Sequence, residues 1–223
     1  MKLHNTMLVL VTVCAFTSCT SLGPNAANTH QLNSEVSPDE AFSMLKSGNQ
    51  RFVSGHPARP DKQAERRETL AKGQKPFAII LGCADSRTAP EVIFDQQLGS
   101  LFVCRVAGNV TDPVVLGSIE YAVDHLHSPL IVVLGHSKCG AVSAALGGGH
   151  AEGNVGSLLH HVRPGTGLPA DEGARLDAAV ANNTSYQMKS LTAESPLIRK
   201  MVKAGKVRVV SGVYSLDTGK VTW

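Results

Sequence analysis

The chain is short of several things, and each shortage excludes a class of function. Its formal net charge is only +3 over 223 residues. Its Lys and Arg residues are scattered rather than gathered on one face, so the electrostatic footprint of a nucleic-acid binder is missing. No apolar run reaches the ~20 residues that a bilayer-spanning helix requires. No internal repeat is evident. Cysteine is scarce, with five residues at 14, 19, 83, 104 and 139. An exported protein can pair two of these as a disulfide, but the neighbours of Cys83 and Cys139 argue for a metal instead. What the chain does have is apolar residues, at 43%, enough for one well-buried domain of this length.

The amino terminus differs in character from the rest. Lys2 precedes an apolar run, MLVLVTVCAF over residues 7–16, and the small residues Thr17, Ser18 and Cys19 follow. This is the layout of a secretory signal peptide. Phe16-Thr17-Ser18-Cys19 also resembles a bacterial lipoprotein processing box, in which Cys19 becomes the lipidated new N-terminus. Residues 1–19 are therefore expected to be a signal segment and 20–35 a flexible linker, with the folded domain over 36–223. Export, to a periplasmic or membrane-anchored position in a bacterial envelope, is the expected localisation. The membrane is expected to be met only through that N-terminal anchor.

From Ser37 onward the pattern is regular. Ser37 can N-cap a helix, with Pro38 at its first position and Glu40 completing a capping box. A second helical stretch runs over about 61–72. Continuous apolar runs then appear at 76–82 (PFAIILG), 101–106 (LFVCRV), 129–135 (PLIVVLG) and 207–213, as expected of strands buried in a parallel sheet. Helices are expected at 112–127, 139–146, 172–191 and 196–204, and a turn at 217–219 leads into a short last strand. Strands alternating with helices predict an α/β domain with a mainly parallel central sheet flanked by helices.

Two of those strands end in ligand-type residues. The first runs into Cys83-Ala84-Asp85-Ser86-Arg87, and the third into His136-Ser137-Lys138-Cys139. Open α/β sheets bind ligands at the carboxyl ends of their strands, so adjacent strands bring the two groups together. Two Cys and one His form a set that suits zinc. Cys139 opens a helix, where the backbone dipole favours a thiolate. Asp85 can fill a fourth position or swing to Arg87 in a bidentate pair and leave that position to water. A Cys-x5-Arg phosphatase loop is excluded, because Arg87 follows Cys83 by four residues rather than six. A closed structural zinc remains the rival reading at this point.

CADSR and HSKCG together resemble the two signature motifs of the β-class carbonic anhydrases. The resemblance extends over roughly 36–221 and includes LKSGNQRFV (45–53), PEVIFD (90–95), LFVCRVAGN (101–109), GSIEYAV (117–123) and GVYSLDTGKV (212–221). It implies reversible hydration of carbon dioxide to bicarbonate and a proton by a zinc-activated water, with one Zn2+ per chain. It implies Cys83, His136 and Cys139 as ligands, with Asp85 as a fourth in a closed state, and an Asp85–Arg87 dyad that opens the site. It places Gln74, Phe102, Tyr121 and the backbone of Gly140 around the substrate. It further implies a homodimer or dimer of dimers, with sites lined from both subunits and N-terminal helices packing on the partner. Ile80 stands where some members carry the Trp of an allosteric bicarbonate pocket, so that switch is expected to be absent although Arg105 remains. Two alternatives stay open: a zinc hydrolase of the same fold acting on another small linear molecule such as carbon disulfide, and a non-catalytic zinc-binding protein. His160 and His161 read as a solvated helix end, and Cys104 as a small buried hydrophobe.

Overall fold

The computed structural model describes residues 36–58, 63–148 and 151–223. The expected signal segment, the linker, Cys19 and the start of the second helix lie outside the described residues. The first helix, α1 (Pro38–Ser54), begins as its sequence dictates: the Ser37 hydroxyl accepts from the Glu40 N–H at 3.2 Å, and Gly55, left-handed at φ 72°, ends it. The second, α2 (Gln63–Leu70), is a little shorter than its pattern suggested.

A five-stranded sheet follows, built from β1 (Ala78–Gly82), β2 (Leu101–Arg105), β3 (Leu130–His136), β4 (Arg208–Tyr214) and β5 (Val221–Thr222). Its order is β2-β1-β3-β4-β5. The first four strands are parallel, and only β5 is antiparallel, against β4. Every residue of β1 and β3 is buried, which explains their unbroken apolar runs.

Side chains alternate between the two faces. Ile80, Val132 and Leu134 pack with Ala41 and Leu45 of α1 on one face. Ile79, Leu81, Ile131 and Val133 pack on the other. That second layer comes from α4 (Pro113–Asp124), α7 (Glu172–Glu194) and α8 (Pro196–Lys203). Two glycines permit the close approach. A Cβ on Gly48 would lie 1.8 Å from the Phe94 carbonyl oxygen, and one on Gly135 would lie 2.1 Å from Thr184 Oγ1 of α7.

The apolar face of α1 is spent within its own chain. Asn49 fastens it there, donating to the carbonyls of Ile93 and Gly219 and accepting from the Val221 N–H at 2.9 Å. What α1 can offer a second subunit is therefore its outer face. Three short elements had no clear signal in the sequence: α3 (Pro90–Ile93), a 3-10 turn at Ala107–Asn109, and α6 (Asn154–Leu159). The remaining helix, α5 (Gly140–Leu146), follows β3 directly. No helix among the described residues is long and apolar enough to cross a membrane.

Candidate metal centre

The strand order puts β1 beside β3, so the residues just past their carboxyl ends meet. Cys83, His136 and Cys139 converge there, all three buried, with their donor atoms within 4.8 Å of one another. The His136 ring is turned by the Ser137 carbonyl, 2.9 Å from Nδ1. Holding the proton on Nδ1 leaves the Nε2 lone pair facing the two sulfurs. Nε2 is buried and has no hydrogen-bond partner among the described residues. Such an orphan is rare in a folded interior, and here it points at two thiols. A soft cation of zinc type, held by two sulfurs and one imidazole, satisfies it.

The sulfurs sit among N–H donors. Cys83 Sγ accepts from the N–H of Gly108 at 3.3 Å and from that of Asp85 at 3.4 Å. Cys139 is the N-cap residue of α5, and the backbone N–H groups of Val142 and Ala141 in the first turn favour its thiolate form. The two thiols also share a hydrogen bond. It favours a Cys83 thiolate and, together with burial, keeps the proton on Cys139. A cation held by both sulfurs would take the place of that proton.

Asp85 is paired with Arg87. Its Oδ1 accepts from Arg87 Nε at 2.8 Å and its Oδ2 from Nη2 at 2.6 Å, and Oδ1 also takes the Arg87 backbone N–H at 3.0 Å. This fork holds the carboxyl well below the usual carboxylate range. Asp85 Oδ2 lies 3.9 Å from His136 Nε2, so the carboxylate stands at the rim of the donor set.

The peptide that carries Cys83 and Asp85 is held by two side chains absent from the expected site. Arg105 donates from Nε to the Cys83 carbonyl at 2.7 Å and from Nη2 to the Asp85 carbonyl at 2.5 Å. The buried Thr88 hydroxyl donates to the Asp85 carbonyl at 2.8 Å. A strand-end Arg followed by a 3-10 turn carries no motif that announces this. The other arm of the site is tied to β4: the Ser137 N–H donates to the Tyr214 carbonyl, and the Leu216 N–H to Ser137 Oγ, both at 2.9 Å.

Cys83, Asp85, Arg87, His136 and Cys139 thus come together as expected, with Gly140 next to the last of them. Gln74, Phe102 and Tyr121 do not join them within one chain. Phe102 pairs with Ile79, four residues before Cys83, which at the rise of a strand is about 13 Å away. Tyr121 lies against Phe102, with ring centroids 6.4 Å apart. Gln74 precedes β1 altogether and is exposed. A parallel strand carries its two ends apart, so these three residues sit at the amino-terminal half of the sheet. A cavity of about 810 Å³ opens at that end, lined in part by Arg66, Lys75, His127 and Lys206; none of the three donors touches it. Cys104, in the edge strand β2, is partly buried and packs with the second layer. His161 caps its own helix end through the Ser157 carbonyl.

The carbonic anhydrase family profile matches residues 78–221. Carbonic anhydrase 2 of Mycobacterium tuberculosis is 46% identical over 190 residues, covering 83% of this chain and 92% of its own. Among solved structures, the β-carbonic anhydrase of Coccomyxa in complex with acetazolamide superimposes with a TM-score of 0.66 at 29% identity, over 81% of this chain and 85% of that one. One of two tetrameric β-carbonic anhydrases from Sordaria macrospora gives a TM-score of 0.63 at 27% identity, over 81% of this chain and 95% of that one.

Proposed function

This chain belongs to the β-class carbonic anhydrase family, and from that membership we propose how its residues carry out the reversible hydration of carbon dioxide to bicarbonate and a proton. Cys83, His136 and Cys139 would hold about one zinc ion per chain. When bound, zinc supplies the acidity that makes water a nucleophile near neutral pH.

The chain's own residues do the rest. Arg87 draws the Asp85 carboxylate off the donor set and keeps it ionised. An ionised carboxylate only accepts hydrogen bonds, so Asp85 Oδ2, at 3.9 Å from His136 Nε2, orients an attacking water and leaves its lone pair free for the carbon of the substrate. The proton that water gives up leaves to buffer. The single observation that carries this reading is the orphaned His136 Nε2 facing two cysteines beside a bidentate Asp85–Arg87 pair.

Gln74, Phe102, Tyr121 and Gly140 are assigned to substrate binding, the first three contributed by a second subunit. Their place at the far end of the sheet supports this, since one chain cannot bring them to its own donors. A homodimer or dimer of dimers is therefore the working form. We also assign export and lipidation at Cys19, on the sequence of residues 1–19; incorporation of labelled fatty acid that Cys19→Ala abolishes is the check.

The test is zinc analysis and stopped-flow hydration on protein purified without chelator. About one zinc per chain with fast hydration, and loss of hydration but not of zinc in Asp85→Ala, is the expected result. Zinc without hydration would return the field to carbon disulfide hydrolysis or to a binding role. Absence of zinc would overturn the assignment.

A further inference from the structure

The N–H that Gly108 directs at Cys83 Sγ depends on an unusual backbone. Gly108 is left-handed, at φ 72°, inside the 3-10 turn. A Cβ there would meet Val162 Cγ2 at 3.1 Å and Ala141 Cβ at 3.3 Å. Asn109 beside it is left-handed too, at φ 44°, and two such residues past a strand end have no ladder to hold them. Here Gly108 is held from the side, by α7. Asn183 Nδ2 donates to the Gly108 carbonyl at 2.8 Å, and Asn183 is wholly buried.

Asn183 is itself gripped. Its Oδ1 accepts from the Arg163 N–H at 2.9 Å and from Gln187 Nε2 at 3.2 Å. Gln187, one turn further along α7 and 1% exposed, accepts from both the N–H and the hydroxyl of Thr111, at 2.9 and 2.8 Å. Its Nε2 also reaches the His161 carbonyl at 2.8 Å. Two buried amides on one helix are expensive unless their hydrogen bonds are made. These two spend theirs on both flanks of Gly108: the turn that carries it and the 161–163 segment that lies over it.

We propose that Asn183, braced by Gln187, is a positioning residue for the metal. It sets the conformation of Gly108 so that the N–H of that residue meets the Cys83 sulfur. The bond orients the sulfur and lowers its electron-donating strength, as outer partners of metal ligands do. The proposal rests on the zinc reading of the three donors.

The experiment uses the apo protein reloaded with Co2+ alone, whose sulfur-to-cobalt charge-transfer band reports the donor strength of the thiolates, together with zinc affinity from chelator competition. Asn183→Asp keeps the side-chain shape and an acceptor for Arg163, but sets an oxygen against the Gly108 carbonyl. The N–H should leave the sulfur, the band should move to longer wavelength, and zinc affinity should fall about 10-fold. Asn183→Ala should do the same; where it fails to fold, the Asp variant carries the test. Leu191→Ala, buried on the same helix, costs stability and should leave band and affinity unchanged. A band unmoved in both Asn183 variants, or moved equally by Leu191→Ala, overturns the proposal. Wild-type protein that gives no cobalt–sulfur band overturns the zinc reading itself, a separate failure.

Discussion

The two arms of the metal centre are built differently. The arm at the end of β3 carries two of the three donors, His136 and Cys139, and is tied down through Ser137. Ser137 takes part in hydrogen bonds to Tyr214 and Leu216 on the neighbouring strand and its exit, and Cys139 starts a helix. The arm after β1 carries Cys83 and the Asp85–Arg87 pair. It is held by side chains that reach its carbonyls, Arg105 and Thr88, and its Arg87 side chain is half exposed. The lesson is a division of labour: one arm ties two donors to the neighbouring strand, and the other presents its single donor together with a carboxylate that Arg87 holds at the rim.

The contrast can be broken in order of effect. On the fixed arm, Cys139→Ser and His136→Ala each remove a donor, and both should fail to hold zinc after dialysis, with hydration lost alongside. On the arm after β1, Arg87→Ala should retain zinc and lose a hundredfold or more in kcat, on the order of a proton-handling group. Arg87→Lys should recover little of it, because an ammonium cannot reproduce the two-point fork. If the lysine variant hydrates carbon dioxide at the wild-type rate, the dyad reading fails. Arg105→Ala should loosen the Cys83–Asp85 peptide and lower kcat/KM by about 10-fold, with zinc content unchanged. Removing the Ser137 hydroxyl leaves one backbone N–H without its acceptor, so Ser137→Ala should cost about 1 kcal/mol in a denaturant titration and little in rate. The exposed Lys138–Asp217 pair at 2.5 Å should contribute less still, about 0–1 kcal/mol, fading as salt is added.

A pH experiment sharpens the same contrast from outside the arms. Burial pushes the Cys104 thiol up to about 11. Below that pH it is neutral and a poor nucleophile, so alkylation should be slow at neutrality and accelerate only as the pH approaches that value. Fast labelling of Cys104 at pH 7 would contradict its burial.

Much of this was legible in the sequence. β1 and β3 showed as unbroken apolar runs because both of their faces are covered, β2 and β4 showed as apolar runs although they are only partly buried, and α1 and α8 showed through Ser-Pro caps. The five residues of the centre were legible because Cys, His, Asp and Arg at two strand ends have few other uses. What stayed hidden was of two kinds. Gly108, Asn183 and Gln187 meet only through folding, since a buried Asn on a long helix looks in sequence like any polar residue of its outer face. Gln74, Phe102 and Tyr121 were assigned to the site by resemblance, and strand length alone shows that one chain cannot place them there. Short elements such as α3 and α6 have too few residues for a period to register.

The adjacency of β1 and β3 also governs when the centre can come into being. Its first donor is synthesised with β1, whereas the other two follow only after β2, α4 and β3 have been made. A nascent chain therefore has no complete site to offer, and a loaded metal is a certificate that the central strands have already paired. If the chain crosses a membrane unfolded, its site is assembled only on the far side, and any metal bound there is drawn from the compartment in which it folds.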